Sequence, residues 1–331
     1  MKQEHHLNVF NLGILDADKT QYPPLTHHTD TGKAGDRISR GVNAGLILTD
    51  DGHTSLNLAR MINNPFTDKA AINYDAVASA ASAAVRIADG KRDGEPADVL
   101  QISVDGMADA LIMLGVKYDS PAGRKKARQL MRTVRDELYS VSIRLAHERG
   151  PLPGFNAERY LSTAWGESLP LDLKEMIQAI GLRYLGLMRI ASDPSVATLD
   201  GYGASVGLAP VMNWNYSWAF PGSGGAHEIK TIESWSHRVF RSHFPQSRGE
   251  ALPEYFRTAL DVPLDAYRHL VRDVSQFVDG GIEAPASTVL KQMLKRGGVG
   301  KPAGVTRIPS RASAFGSRVR GTIGSLVSGL K

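Results

Sequence analysis

Side chains able to do metal, acid–base or anion chemistry fall in a few small groups. His27-His28 with Asp30, and His53 beside Asp50-Asp51, offer hard nitrogen and oxygen ligands. Neither has HExxH or a comparable spacing that aims two ligands from one helical face, so they read as polar loop residues and no metal is expected. His237 and His243 stand among Arg238, Arg241 and Arg248. That grouping fits a phosphate or nucleic-acid patch, though a solvated basic face accounts for it more simply. Trp214, Tyr216, Trp218 and Phe220 alternate, which puts them on one face of an extended segment. Such a row can stack on bases, but core and interface packing are its commoner uses. Gly222-Ser223-Gly224-Gly225 lacks a following Lys-Ser/Thr, so it reads as a flexible connection and not a phosphate loop.

The chain contains no cysteine. Disulfides, thiolate metal sites and cysteine nucleophiles are thereby excluded. At 331 residues it is long enough for a large core in one or two domains, and its 42% hydrophobic content is that of an ordinary globular protein. No apolar run approaches the ~18 residues of a bilayer span, and MKQEHHLNVF has no signal-peptide apolar region. The expected setting is cytoplasmic or within an intracellular assembly, neither secreted nor transmembrane. Charge is unevenly distributed. Beyond Glu283 there are nine Lys and Arg and no acid, so a net charge of +5 leaves the rest of the chain at −4. The basic character belongs to the tail.

The elements that position these groups centre on Val104–Pro153. A short apolar run leads through a glycine turn into a first helix and then a long second one. Ser120 suits the N-cap of the second helix and Pro121 its first position, because proline lacks a donor that a helix start leaves unpaired anyway. Ala127, Leu130, Met131, Val134, Leu138, Val141 and Leu145 form one apolar stripe at three- and four-residue steps. Gly150-Pro151 ends it. Elsewhere the patterns predict a strand within Leu7–Leu15, a helix over Asn73–Ala88, and a buried strand over Leu100–Val104. Further on they predict a helix over Leu169–Ile180, a strand over Leu185–Ala191, and a strand with its loop over Ser205–Trp218. Alternating strand and helix patterns suggest βα units.

Several ordered pieces carry a family resemblance. Gly106-Met107-Ala108-Asp109, Leu114-Gly115-Val116, Tyr118-Asp119-Ser120 and Glu148-Arg149-Gly150-Pro151 resemble the large subunit of ribonucleotide reductase, most closely the adenosylcobalamin-dependent class. Ser55-Leu56-Asn57-Leu58, Gly207–Met212 and Leu252–Phe256 extend the likeness, which runs from about Gly35 to Leu290. It implies an α/β fold: half of a ten-stranded α/β barrel, its second half, with about five strands and outer helices. The implied organisation is a loop-rich segment over 1–54 including a degenerate finger loop, the half barrel over 55–290, and a basic Gly/Ser/Arg-rich tail over 291–331.

The resemblance also shows where the family's chemistry would sit. Its finger loop carries Asn-x-Cys-x-Glu, in which the cysteine becomes a thiyl radical and the glutamate acts as base. Aligned without a gap, Asn43 stands at the cysteine, Gly45 at the glutamate and Gly41 at the asparagine. Shifted by two, Asn43 keeps the asparagine's place while Gly45 and Ile47 take the cysteine's and the glutamate's. Neither register supplies a thiol or a carboxylate, and a base must lie within ~3 Å of the hydroxyl it deprotonates. The family's substrate-phosphate loop aligns with Ala191–Ser195, where no glycine lets amides approach a phosphate and Asp193 adds negative charge.

The expectation is therefore a catalytically inactive relative with a structural or assembly role and no cofactor; a phage virion or capsid-associated component is one concrete form. The alternative is a non-catalytic fragment or subunit of a split adenosylcobalamin-dependent reductase. A half barrel would leave edge strands and an apolar inner face exposed, so a protein partner or self-association is expected. Trp214, Tyr216 and Trp218 are candidate contacts. So are Phe315, Arg318, Val319, Arg320 and Ile323, which share a helical face at the end of the tail. That tail either stays unfolded or docks on a nucleic acid, an acidic protein surface or a membrane surface.

Overall fold

The computed structural model describes residues 7–8, 46–49, 54–90, 98–191, 204–221, 227–247 and 251–284; at 7–8, 46–49, 216–221 and 227–232 it describes backbone alone. Its centre is an open five-stranded sheet in the order β1-β2-β3-β6-β7, formed by β1 (Leu7–Asn8), β2 (Leu46–Thr49), β3 (Thr54–Asn57), β6 (Val99–Asp105) and β7 (Gly186–Met188). The pairs β3–β6 and β6–β7 are parallel, whereas β1–β2 and β2–β3 are antiparallel. Two small ribbons lie outside it: β4 (Ile62–Asn63) with β5 (Ala71–Ile72), and β8 (Asn215–Pro221) with β9 (His227–Glu233). The fold is mixed α/β, and among the described residues the sheet does not close on itself.

Helices form where the spacing predicts. Helix α1 (Tyr74–Gly90) begins after Asn73, whose side chain accepts from the Ala76 N–H at 3.0 Å. Helix α3 (Pro121–Arg149) is 29 residues long, ~43 Å at 1.5 Å per residue. Ser120 caps it by accepting from Gly123 N–H at 2.9 Å, and the whole predicted stripe from Ala127 to Leu145 is buried. It packs against α1 and against α8 (Leu264–Val274). Short helix α2 (Met107–Met113) follows β6 directly and is buried along its entire length. The remaining helices are α4 (Ala157–Leu161), α5 (Ala164–Ser168), α6 (Leu171–Ile180) and α7 (Trp235–His243). The helix expected over Leu169–Ile180 thus starts at Leu171, because Pro170 sits outside it as the N-cap residue.

Two expectations about the sheet are corrected. Side chains alternate along a strand. In the register Ser55↔Ser103 and Asn57↔Asp105, small polar groups share one face, while Leu56, Ile102 and Val104 share the other and join the core. On β3 and β6 the face away from the core is therefore polar, not apolar, and Ser55, Asn57, Ser103 and Asp105 are all buried. Nor is the β7 edge bare. Asp279 accepts from Leu187 N–H at 2.6 Å and Met188 N–H at 2.7 Å, and Ile190 forms a parallel bridge to Ile282. Asp279 is itself held by the Tyr139 hydroxyl at 2.8 Å, and Trp165 Nε1 donates to that same hydroxyl at 2.8 Å. Desolvation pushes the Asp279 carboxyl up from the usual carboxylate range despite these donors.

The Ser205–Trp218 stretch is a strand only from Asn215 onward. Upstream, the Ser205 and Gly207 N–H groups go to carboxylates, Ala209 N–H turns back to Val206 O, and Val211 forms one isolated bridge to Thr258. Beyond the bridge Ile190↔Ile282, residues after 284 lie outside the described set.

Candidate functional site

In a parallel sheet the carboxyl ends of the strands are where loops converge and ligands bind. Here β3 ends at Asn57 and β6 at Asp105. Gly106 follows with φ +77°, a backbone region that side chains other than hydrogen rarely adopt. A Cβ there would also lie 2.6 Å from Asn57 Oδ1, so the residue must be glycine on two counts. Its N–H donates to Ser205 O at 2.7 Å, which brings the 204–211 loop onto the strand ends.

Two buried carboxylates then fix that loop. Asp105 Oδ1 accepts from Gly207 N–H at 2.7 Å, and its Oδ2 accepts from the Ser55 hydroxyl. Asp109, in the first turn of α2, accepts from Ser205 N–H at 2.6 Å through Oδ2. Through Oδ1 it accepts from Ser236 N–H at 3.0 Å, from the Ser234 hydroxyl at 3.0 Å and from the Ser236 hydroxyl. Asp109 therefore joins three segments distant in sequence: α2, the 204–211 loop and the start of α7. Gly207 has φ +54°, and a side chain there would crowd Ala191 O at 3.2 Å. The chemical reading of this mouth is structural. Both carboxylates spend their oxygens on internal donors, which leaves neither poised as a base.

The mouth is flanked by cations and aromatic rings. The Arg60 guanidinium carbon lies 3.3 Å from the Trp235 ring centroid, and that of Arg238 lies 4.6 Å from it. Glu233 at the end of β9, with His237, Arg238, Arg241 and Ser242 of α7, lines an open groove of about 530 Å³. His237 is buried; its Nδ1 lies 2.8 Å from Glu233 Oε1, and its Nε2 accepts from Arg241 Nε at 3.3 Å.

The residues singled out in the sequence are dispersed. Gly41, Asn43 and Gly45 lie outside the described residues, while Ile47 lies in β2 with its backbone paired to Ser55. Trp214 is half-buried, stacks on His237 with centroids 6.0 Å apart, and meets Phe256 edge-on at 5.3 Å. Tyr216 and Trp218 lie in β8, where backbone alone is described. Phe315, Arg318, Val319, Arg320 and Ile323 lie outside the described residues, as do His27, His28, His53 and Ser192–Ser195. Among the described residues no three His, Asp or Glu cluster to hold a metal, and no helix is long and apolar enough to cross a membrane. Sequence reasoning missed Asp105, Ser205, Ser234 and Ser236 as a unit. The alternation of Gln101, Ser103 and Asp105 with Leu100, Ile102 and Val104 is the signal that marks Asp105 as facing away from the core.

Comparison with known proteins places these observations. Residues 54–284 match the family model described as "Ribonucleotide reductase, barrel domain". The chain is also similar to the "Vitamin B12-dependent ribonucleoside-diphosphate reductase" of Mycobacterium tuberculosis, strain CDC 1551 / Oshkosh, and to the protein of the same description in strain ATCC 25618 / H37Rv. Each is 34% identical over 118 residues, which is 32% of this chain. The chain covers 16% of the length of these curated relatives. With well over half its length matched by the family model, the chain belongs to the ribonucleotide reductase barrel-domain family.

Proposed function

We propose that this chain is a catalytically inactive member of its family that serves in a protein assembly, on a scaffold equivalent to the second half of the family's ten-stranded barrel. The observation that carries the reading is the lack of any cysteine in 331 residues. In the resemblance set out above, the reaction of the adenosylcobalamin-dependent class depends on a cysteine that becomes a thiyl radical. No side chain here provides that thiol, so the residues present do not fit the cofactor's chemistry, and no step is routed through it. The mouth of the strands supports the same reading, because Asp105 and Asp109 are engaged by backbone and serine donors and not turned to a substrate.

The partner is a second copy or a larger assembly, with a phage virion as one form. The open sheet supports this, since closure of such a sheet needs strands that these residues do not contribute. Light scattering on the purified full chain tests it. A defined oligomer, or a stoichiometric complex with a co-purifying protein, is the expected result; a lone monomer at every concentration contradicts it. Peptides of this chain in purified virions would select the virion form.

A second reading follows from the partial match to B12-dependent reductases: a subunit of a split enzyme, with a separate protein supplying the first half barrel. Nucleotide reduction on mixing with such a protein, absent from either alone, would favour it over the assembly role.

A further inference from the structure

We propose that the groove along α7 is a binding site for a phosphate-type oxyanion, held by Arg238 and Arg241. Anion binding here does not depend on the assembly role.

Arg241 is oriented in advance. Its Nε donates to His237 Nε2 at 3.3 Å and one Nη donates to Ser247 O at 3.1 Å. A guanidinium has five N–H donors in a rigid fork, so the other Nη keeps its donors for a ligand. His237 is fixed in turn by Glu233 on its far nitrogen at 2.8 Å and by the Trp214 ring stacked at 6.0 Å. Accepting from Arg241 requires Nε2 to be unprotonated, so Nδ1 carries the proton and donates to Glu233. Glu233, the one acid among the described residues that line the groove, is thereby engaged by the histidine and not by Arg241.

Arg238 supplies the second cation from the same helix, braced against Trp235, which Arg60 also covers. Trp235 Nε1 is buried and has no acceptor among the described residues. Ser242 adds a hydroxyl to the wall. Two guanidinium groups with a hydroxyl beside them, in a groove of about 530 Å³, offer the forked N–H donors that a phosphate group accepts. The groove's size admits the bare anion or a small phosphate ester. Both present the same chemistry.

The test is calorimetric titration of the full-length chain with inorganic pyrophosphate at low salt. Potassium chloride at matched ionic strength is the control, and ribose 5-phosphate is the ester arm. Saturable binding by pyrophosphate and not chloride is expected. Arg238→Gln and Arg241→Gln should each weaken it at least tenfold, and the double variant should abolish it. Both side chains line an open groove, so far-UV circular dichroism should show the variants folded. Tighter binding of ribose 5-phosphate would identify an ester as the ligand, and equal or weaker binding the free anion. Binding unchanged in the double variant would assign it to the basic tail and overturn the proposal. So would no saturable heat with pyrophosphate at ten-millimolar concentration.

Discussion

Replacing Asp109 by asparagine changes one atom and should cost the fold heavily. The aspartate accepts Ser205 N–H on one oxygen, and Ser236 N–H with two serine hydroxyls on the other. Asparagine offers a single acceptor oxygen. In either amide orientation its NH₂ group faces a backbone N–H, so one buried backbone donor is stranded beside a second donor. Each stranded buried donor costs about 1–3 kcal/mol, and the charge assistance of the remaining bonds is lost as well. The expected destabilisation is about 3–4 kcal/mol. Urea unfolding followed by circular dichroism measures it, and for a domain of this size the midpoint temperature should fall by ~6–16 °C. Ser205→Ala is the control. It removes only a long contact, Asp109 N–H to Ser205 Oγ at 3.4 Å, and should cost under about 1 kcal/mol. An Asp109→Asn protein within ~0.5 kcal/mol of the parent would refute the claim that this carboxylate clamps the loop.

Two more outcomes follow from the same coordinates. Burial pushes the Tyr118, Tyr139, Tyr160 and Tyr267 hydroxyls above the ordinary tyrosine value of 10.0, desolvation being the largest cause for each. The unfolded chain releases these protons first, so their contribution is complete below pH 10 and is lost as pH rises beyond it. The loss is about 1.4 kcal/mol per pH unit for each tyrosine. Urea midpoints should therefore collapse above about pH 10, with tyrosinate absorbance from these four appearing together with unfolding; ionisation without unfolding would contradict this. At the start of α3, a Cβ on Gly123 would lie 2.2 Å from Lys117 O and 3.1 Å from Tyr118 O. Gly123→Ala should therefore cost ~1–3 kcal/mol in urea unfolding, although alanine is the better helix former; a neutral or stabilised variant would show that the turn yields freely.

What the sequence disclosed depended on how far each element's partners lay. Helix α3 was legible because its cap, first-turn proline, apolar stripe and terminating glycine are all local. Strand β6 and helix α1 were legible for the same reason. The 204–211 loop was not. Its extended, apolar look suggests a strand, but its Ser205 and Gly207 N–H groups are taken by Asp109 and Asp105, about a hundred residues upstream. The β2–β3 pairing was missed for a different reason. Leu46–Thr49 and Thr54–Asn57 flank Asp51-Gly52, an ordinary hairpin signal, but the family resemblance had assigned that stretch to a finger loop. The polar face of β3 and β6 was readable from period-two alternation. That it is buried was not, because the covering loop arrives from residues 204–207.

A chain without a thiol should be unable to perform thiol-dependent radical reduction by itself. The direct measurement is deoxynucleotide formation by the purified full-length chain, supplied with adenosylcobalamin, ribonucleoside di- and triphosphates and a dithiol reductant, with products resolved by mass spectrometry. No deoxynucleotide above the protein-free background is expected. Product that scales with the concentration of this chain would contradict it.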